Sequence, residues 1–359
     1  MISAKLSIVG IMSGTSLDGV DIAACKFEKT HKGWNFCLCN GRTFMYDSEI
    51  LAKLKVCHTF GGRDLAMFNV EYGEYLGKLA KHYIDEIGFK ADYVASHGYT
   101  VFHEPQNRMT LQIGSGAHIA AQVGVPVVCD FRTTDVAFAG NGAPLVPIGD
   151  KLLFGNYIAC LNIGGFANIS FDKEGRRIAF DICPANIILN MVMRRIGVEY
   201  DENGKVARQG VVDDSVFRKL NSLDYYKIEY PKSLGREFVE TEVLPIIQHM
   251  DNVSNLTATL THHIAYQIGN VIKQIPSGSV LVTGGGAYNK FLIELIEYYS
   301  ERKIIIPSKA IIDLKEAIIF AFLAALRVNN INNCLESVTG ALHDNIGGAI
   351  YTPYSLIDD

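Results

Sequence analysis

Three glycine-bearing turns are the residues best suited to chemistry in this chain. The first, Gly14-Thr15-Ser16-Leu17-Asp18-Gly19, has the G-x4-G spacing of a phosphate loop. Val20 and Asp21 occupy the places where a Walker loop needs Lys and Ser or Thr, and strand-like residues flank both sides, so a P-loop is excluded. A hairpin turn with two glycines, two hydroxyls and a carboxylate can still cradle phosphates through its backbone N–H groups. Asp18 would then hold a water on Mg2+. The same composition also serves an ordinary turn. A second glycine pair, Gly164-Gly165-Phe166-Ala167-Asn168, and a third run, Gly284-Gly285-Gly286-Ala287, widen the possibility to a nucleotide site. Neither Gly284–Gly286, with Asn289 at the third glycine position, nor Gly114-Ser-Gly116, with Ile119 there, completes the dinucleotide fingerprint.

Other chemistries find less support. His97 and His103 flank a possible strand without carboxylates at metal-ligand spacing and read as structural histidines, as do His262 and His263. A serine-hydrolase elbow is excluded because no G-x-S-x-G occurs. Cys183, beside Pro184, has only a helix N-terminus to lower its pKa. Cys37 and Cys39 alternate as strand residues do, and the eight cysteines form no paired CxxC unit.

The elements that must position the glycine turns repeat. Leu6 to Met12, Val20 to Phe27 and Trp34 to Cys39 read as a three-stranded meander. The apolar spacing of Leu65, Phe68, Tyr72, Leu76, Leu79, Tyr83 and Ile87 predicts a helix ended by Gly88. Short strands follow at Tyr93 to Ser96 and Val127 to Cys129, with a helix from Ser115 to Val123 between them. From residue 156 the meander recurs, in Tyr157 to Ile163, Ile169 to Phe171 and Arg177 to Ile182. Helices Ile187 to Ile196 and Leu256 to Gln274, a strand Val280 to Thr283 and a helix Asn289 to Tyr299 complete it. The expectation is a duplicated pair of α/β domains facing a cleft, the usual place for a ligand. The first would span residues 1–128, completed by 341–359, and the second 129–340, with a substrate-side loop near 200–236.

Composition sets the outer bounds. The chain has 359 residues, 48% hydrophobic and 20% charged, with 33 Lys and Arg against 38 Asp and Glu, a formal charge of −5. No basic footprint for nucleic acid or an anionic membrane exists at this level. The apolar run Ala317 to Leu326 is far shorter than the ~20 residues a bilayer needs and reads as a buried helix. The opening Met1-Ile-Ser-Ala-Lys5 lacks the features of a secretory leader, and a reducing cytoplasm is expected.

Beyond these readings the chain resembles a known family. Two phosphate hairpins and a glycine-rich strand-to-helix turn are the parts of the actin, hexokinase and heat-shock chaperone superfamily, whose fold is a duplicated ribonuclease-H-like pair. Within it, Gly10-Ile-Met-Ser-Gly-Thr-Ser-Leu-Asp-Gly-Val-Asp21 is similar to the opening motif of the anhydro-N-acetylmuramic acid kinases. So, in order along the chain, are Ser96-His-Gly98 with Thr100, Thr110-Leu-Gln-Ile-Gly114, Asp130-Phe-Arg132, Gly142-Ala-Pro-Leu-Val-Pro147 and Asn162-Ile-Gly-Gly-Phe-Ala-Asn168. Phe180-Asp181, Pro231-Lys-Ser-Leu-Gly-Arg-Glu237, Lys315-Glu-Ala317 and Ser337-Val-Thr-Gly-Ala341 continue the series. The chain departs where the family usually reads Phe-Asp-Thr-Gly-Pro-Gly-Asn and a later Asp: it has Phe180-Asp-Ile-Cys-Pro-Ala-Asn186 and Asn190. Cys183 and Ala185 are stiffer than the glycines they replace.

The resemblance implies a kinase that uses ATP and Mg2+ to open a 1,6-anhydro sugar of cell-wall recycling with water at C1 and to phosphorylate O6. Asp181 would be the base, or else a cap for the helix near Pro184. Glu316, expected to open the buried helix, would contact substrate, as would Arg132 and Thr100. Gly14 through Asp21, Gly164, Gly165, Asn168 and Gly284 to Gly286 would hold the nucleotide. Homodimerisation is a family expectation. A kinase of another amino sugar, or a sensor without turnover, remain alternatives.

Overall fold

The structure, a computed structural model, describes residues 5–354; Met1 to Ala4, read for a leader, and residues 355–359, read as part of the first domain's completion, lie outside the described residues. The chain forms two compact units, residues 1–153 with 314–359, and residues 154–313.

In the first unit, strands β1 (Lys5–Ser13), β2 (Val20–Thr30) and β3 (Gly33–Phe44) form the expected antiparallel meander. Strands β4 (Tyr93–Ser96) and β7 (Val127–Cys129) extend it in parallel on the β1 side, and the C-terminal strand Ala349–Tyr351 closes that edge antiparallel to β7. A separate hairpin joins β5 (Tyr99–Glu104) to β6 (Met109–Ile113). Ile8, Val9, Ile11, Val20 and Ile22 are fully buried, so the short apolar runs are core strands. Helix Gly62–Ile87 presents Phe68, Tyr72, Leu76, Ala80 and Tyr83 to this core, at helical spacing. It ends at Gly88, whose φ of 60° is the left-handed conformation that a helix stop favours.

The second unit repeats the pattern. Strands β8 (Ala159–Ile163), β9 (Phe166–Lys173) and β10 (Arg176–Pro184) make the meander, and β11 (Val280–Thr283) and β12 (Ile304–Ile305) add in parallel beside β8. The strand order β10-β9-β8-β11-β12 matches β3-β2-β1-β4-β7 of the first unit. The repeated meander thus makes the expected duplicated α/β pair, with the ribonuclease-H-like strand order that the family resemblance implies. Helix Val253–Gln274 covers the second sheet with Leu256, Leu260, Ile264, Ile268 and Ile272.

The unit limits differ from those read in the sequence, near Cys129 and residue 340. Helix Val146–Leu153 and the apolar stretch from Leu314 onward belong to the first unit. Buried Lys315 pairs there with buried Asp150 at 2.7 Å, and a Cβ on Gly149 would strike Ile319. The buried helix also begins earlier than expected, at Lys309. Glu316 therefore sits in its interior, and no helix-terminal dipole acts on it.

Candidate functional site

The second unit gathers most of the expected residues. Gly164 and Gly165 make the tight β8–β9 turn, and their carbonyls accept from the first amides of helix Asn186–Arg194. Asn186 N donates to Gly164 O at 3.1 Å, and Ala185 N to Gly165 O at 2.8 Å. Asn186 Nδ2 donates to Ile163 O at 3.2 Å. The Gly284 to Gly286 turn closes on the same place. A Cβ on Gly284, whose φ is +81°, would lie 2.6 Å from Asn162 Oδ1 and 2.7 Å from Ile163 O. The Gly284 to Gly286 turn thus packs on the end of β8, just before the Gly164–Gly165 turn, although more than a hundred residues separate them. The Gly164 N–H and the first amides of the helix are already bonded within the protein, so the Gly284 to Gly286 turn is the one suited to offer backbone N–H groups to an anion.

Beside this junction opens a cavity of about 960 Å3. Asn186, Asn190, Gly285, Tyr288, Asn289 and Ile312 are among its walls. Tyr288 donates from its hydroxyl to Asp313 Oδ1 at 2.6 Å, and Lys309 Nζ donates to Asp313 Oδ2 at 2.6 Å and lies over the Tyr288 ring. Apolar walls, the Tyr200 and Tyr288 rings and several amides suit a nucleoside.

Asp181 joins the arrangement through strand register. Thr283, Asn162, Asn168 and Asp181 are successive cross-strand partners on β11, β8, β9 and β10, so they form one polar row over the sheet. The β10 ladder is irregular between Asp181 and Cys183, where a bulge re-aims the strand. Asp181 does not cap the next helix, which has Ala185 in the cap position and no side-chain cap. Its Oδ2 instead accepts from Leu234 N at 2.9 Å, while its carbonyl accepts from the Tyr225 hydroxyl at 2.6 Å. Burial pushes the carboxyl above its usual range, and the Leu234 amide only partly opposes this. Lys232 lies on the same segment, with Nζ donating to Tyr225 O at 3.2 Å and resting over the Tyr225 and Phe180 rings. Two of the departures noted in the sequence are accommodated: Ala185 has φ −127° and needs no glycine, and Cys183 and Ala185 are both fully buried, while Asn190 lines the cavity.

The first unit holds the remaining residues. In the β1–β2 turn, Thr15, Ser16 and Asp18 are exposed and Gly14, Leu17 and Gly19 half-buried. Gly19 has φ +147° and a Cβ there would meet Phe44 O at 2.7 Å, so this turn needs glycine. The side chain of Val20 is fully buried in the core, and its backbone is in register with Ser13 in the sheet, so only its main chain could face a nucleotide. Asp21 Oδ1 accepts from the Thr43 hydroxyl at 2.5 Å. The base of the turn is braced by Ser13 Oγ, bonded to the hydroxyls of Tyr46 at 2.9 Å and Tyr72 at 2.5 Å.

Arg132 is held inside the first unit. Its Nε and Nη2 donate to His97 Nε2 at 3.0 and 2.9 Å, and Nη1 donates to Gly142 O at 2.6 Å. His97 in turn donates from Nδ1 to Gly98 O at 2.9 Å, so the ring is neutral; burial and the neighbouring guanidinium hold its pKa at about 3. It is a structural histidine, as expected, one that aims Arg132. Glu316, open to solvent yet crowded by protein, is held above the usual carboxylate range by desolvation, with Arg132 pulling it down and Asp21 pushing it up. Glu316 therefore feels the charges of both Arg132 and Asp21. Thr100 is engaged within its hairpin, by Gln112 Nε2 at 3.3 Å, rather than by Arg132.

Among the described residues no group of three or more His, Cys, Asp or Glu is arranged to hold a metal ion. Asp18, a lone exposed carboxylate on a turn, has the chemistry of a Mg2+ ligand that acts together with waters and phosphate oxygens. Asn186, Tyr288, Lys232 and the Leu234 amide escaped the sequence reading as site residues. The signal that could have raised Lys232 and Leu234 was their place in the Pro231 to Glu237 motif.

A family model described as anhydro-N-acetylmuramic acid kinase matches residues 6–353. A protein of that name from Hydrogenovibrio crunogenus is 32% identical, with 96% of this chain and 98% of its own covered. Another from Francisella tularensis subsp. novicida is 33% identical, with 95% and 97% covered. Among solved structures, the Acidaminococcus fermentans (R)-2-hydroxyglutaryl-CoA dehydratase component A aligns with TM-score 0.45 and 13% identity over 90% of this chain and 99% of its own.

Proposed function

The chain belongs to the anhydro-N-acetylmuramic acid kinase family, and from that premise we propose that it phosphorylates 1,6-anhydro-N-acetylmuramic acid with ATP, in peptidoglycan recycling in the cytoplasm. The observation that carries the reading is in the second unit. A nucleoside-sized cavity opens beside the Gly284 to Gly286 turn, which packs on the end of β8 next to the Gly164–Gly165 turn, and Asp181 lies on the polar row that leads from there.

The nucleoside would occupy the cavity lined by Tyr288 and Ile312. The amides of Gly284 to Gly286, with the Gly164–Gly165 turn and Asn168, would face its phosphates. Residues Gly14 to Gly19 would hold phosphate oxygens, and Asp18 would hold Mg2+, which supplies charge neutralisation when bound. Arg132, fixed by His97, suits a carboxylate such as the lactyl group of the sugar, and Glu316 a sugar hydroxyl.

Asp181 would take a proton from water. Its buried position raises its proton affinity toward that of an effective base, and the Leu234 amide fixes the carboxylate's direction. The water oxygen bonds to C1 as the C1–O6 bond breaks. O6 then bonds to the γ-phosphorus as the bond to the ADP oxygen breaks, and the proton remains on Asp181. N-acetylmuramate 6-phosphate and ADP result.

ADP release with purified protein, ATP, Mg2+ and the anhydro sugar tests this. Turnover that vanishes in Asp181→Asn is expected, with 18O from labelled water found at C1. No ADP above background with any sugar overturns the kinase reading. Turnover only on a non-anhydro sugar moves the acceptor to another amino sugar, and unlabelled product rejects water as the nucleophile.

A further inference from the structure

The second unit contains another cavity, of about 430 Å3, walled by the segment around Asp224–Lys227 and by the C-terminal half of helix Val253–Gln274. Three lysines line it, Lys227, Lys232 and Lys273, together with the amide side chains of Asn221 and Gln267; among the described residues lining it there is no Asp or Glu.

The floor of the cavity is fixed by hydrogen bonds, and its cations are free to turn toward an anion. His263, fully enclosed and neutral, donates from Nδ1 to Asn221 Oδ1 at 2.7 Å and accepts the Tyr226 hydroxyl at Nε2, 3.0 Å away. Gln267 Nε2 donates to the same Asn221 oxygen at 2.8 Å. With that oxygen saturated, the orientation of the amide is set, and buried Asn221 Nδ2 is left without an acceptor. The lysines, meanwhile, are held only loosely. Lys227 pairs with Asp224 and Lys273 with Glu301, each at 2.7 Å and each an exposed pair of the kind worth about 0–1 kcal/mol. Lys232 Nζ donates to a neutral carbonyl, that of Tyr225. An incoming dianion can recruit all three ammonium groups at little cost. The volume lies toward the lower end of the ~300–1,000 Å3 of ligand pockets, enough for a monosaccharide with one phosphate and too small for a nucleoside triphosphate.

We propose that this cavity is a second binding site, separate from the nucleotide cavity, that takes the phosphate of a sugar monophosphate, with Lys227, Lys232 and Lys273 neutralising it. The ligand is defined by its phosphomonoester, whether it is the product of the proposed reaction or another hexose phosphate.

Calorimetric titration of the full chain with glucose 6-phosphate, N-acetylmuramate 6-phosphate, glucose and inorganic phosphate tests the site. Lys227→Gln/Lys273→Gln changes only exposed side chains and should fold normally, as circular dichroism will report. Binding of one or both sugar phosphates is expected, weakened at least roughly tenfold in the double variant and by added salt, with no binding of glucose. The stronger of the two sugar phosphates identifies the source. Asp181→Asn should leave this binding unchanged. Absence of sugar phosphate binding overturns the proposal. So does binding that survives in the double variant but is lost in Asp181→Asn, because the ligand then sits at the catalytic residues. Inorganic phosphate binding as tightly as either sugar phosphate removes the sugar from it. None of these readouts depends on turnover, so failure here is separable from failure of the kinase reading.

Discussion

Replacing Gly284 with alanine should destabilise the second unit and empty the nucleotide site together, whereas Gly164→Ala should affect only nucleotide binding. At Gly284 the new Cβ would lie 2.6 Å from Asn162 Oδ1 and 2.7 Å from the Ile163 carbonyl oxygen, against 3.4 Å for an ordinary contact, so about 0.8 Å of movement is required. The Asn162 side chain can rotate away, but the Ile163 carbonyl is part of the central strand β8 and cannot retreat without breaking sheet pairing. Alanine at φ +81° adds roughly 1–2 kcal/mol of conformational strain, and an overlap of this kind about 1–3 kcal/mol, together about 2–5 kcal/mol. For a unit of this size that lowers its melting temperature by ~4 °C or more. At Gly164 the nearest atoms to a Cβ are 3.6 Å away and φ is not left-handed, so no stability loss is expected. Close approach of a phosphate to that turn would still be blocked, and KM for ATP should rise. Differential scanning calorimetry, with ATP kinetics for both variants, decides. A Gly284→Ala protein that melts within 1 °C of the parent refutes the packing argument, and a Gly164→Ala protein with unaltered KM refutes the assignment of that turn to phosphate.

Three further outcomes are expected. Asp181→Asn should lower kcat by roughly 10²–10⁴, the range for loss of a general base, without loss of folding stability at neutral pH. Burial raises the folded-state pKa of Asp181, so its ionisation costs stability as pH rises past the unfolded-state pKa; urea unfolding should show that slope reduced in the variant. His97, with a pKa of about 3, takes up a proton on unfolding, so its contribution is intact above about pH 6.5 and declines as pH falls from there toward 3. His97→Gln should flatten that part of the stability profile and, by releasing Arg132, raise KM for the sugar more than KM for ATP. Tyr288→Ala should raise KM for ATP by roughly five- to a hundredfold with kcat little changed, the worth of one aromatic stacking face; unchanged KM would remove the base from this part of the cavity.

The parts of the site that could be read from the chain are those whose chemistry is local. A six-residue hairpin turn announces itself through Gly14, Asp18 and Gly19, because left-handed backbone at Gly19 and its contact with Phe44 O leave little choice of residue. The two meanders were legible from alternation and turn residues, and Gly88 as a helix stop from its type alone. Strand ends were less so: β3 runs on to Phe44, beyond the expected Cys39, because pairing with β2 rather than hydrophobic alternation carries it. Glu316 was placed at a helix start because the apolar run begins there, whereas the preceding turns from Lys309 are amphipathic and continue the same helix.

By itself, then, the order of residues determined the repeated sheet topology, the glycine turns and the family to which they belong, since each depends on neighbours within a few positions or on motifs in sequence. Tertiary structure alone decided what those turns face. It put Gly284 against Ile163, set Asp181 in register with Asn168 and Asn162, and bound its carboxylate to the amide of Leu234, more than fifty positions further on. It also joined His97 to Arg132 and left Asn221 with an unused donor. Such pairings follow from strand register and core packing, whose energies are summed over contacts remote in sequence, and no local pattern encodes them.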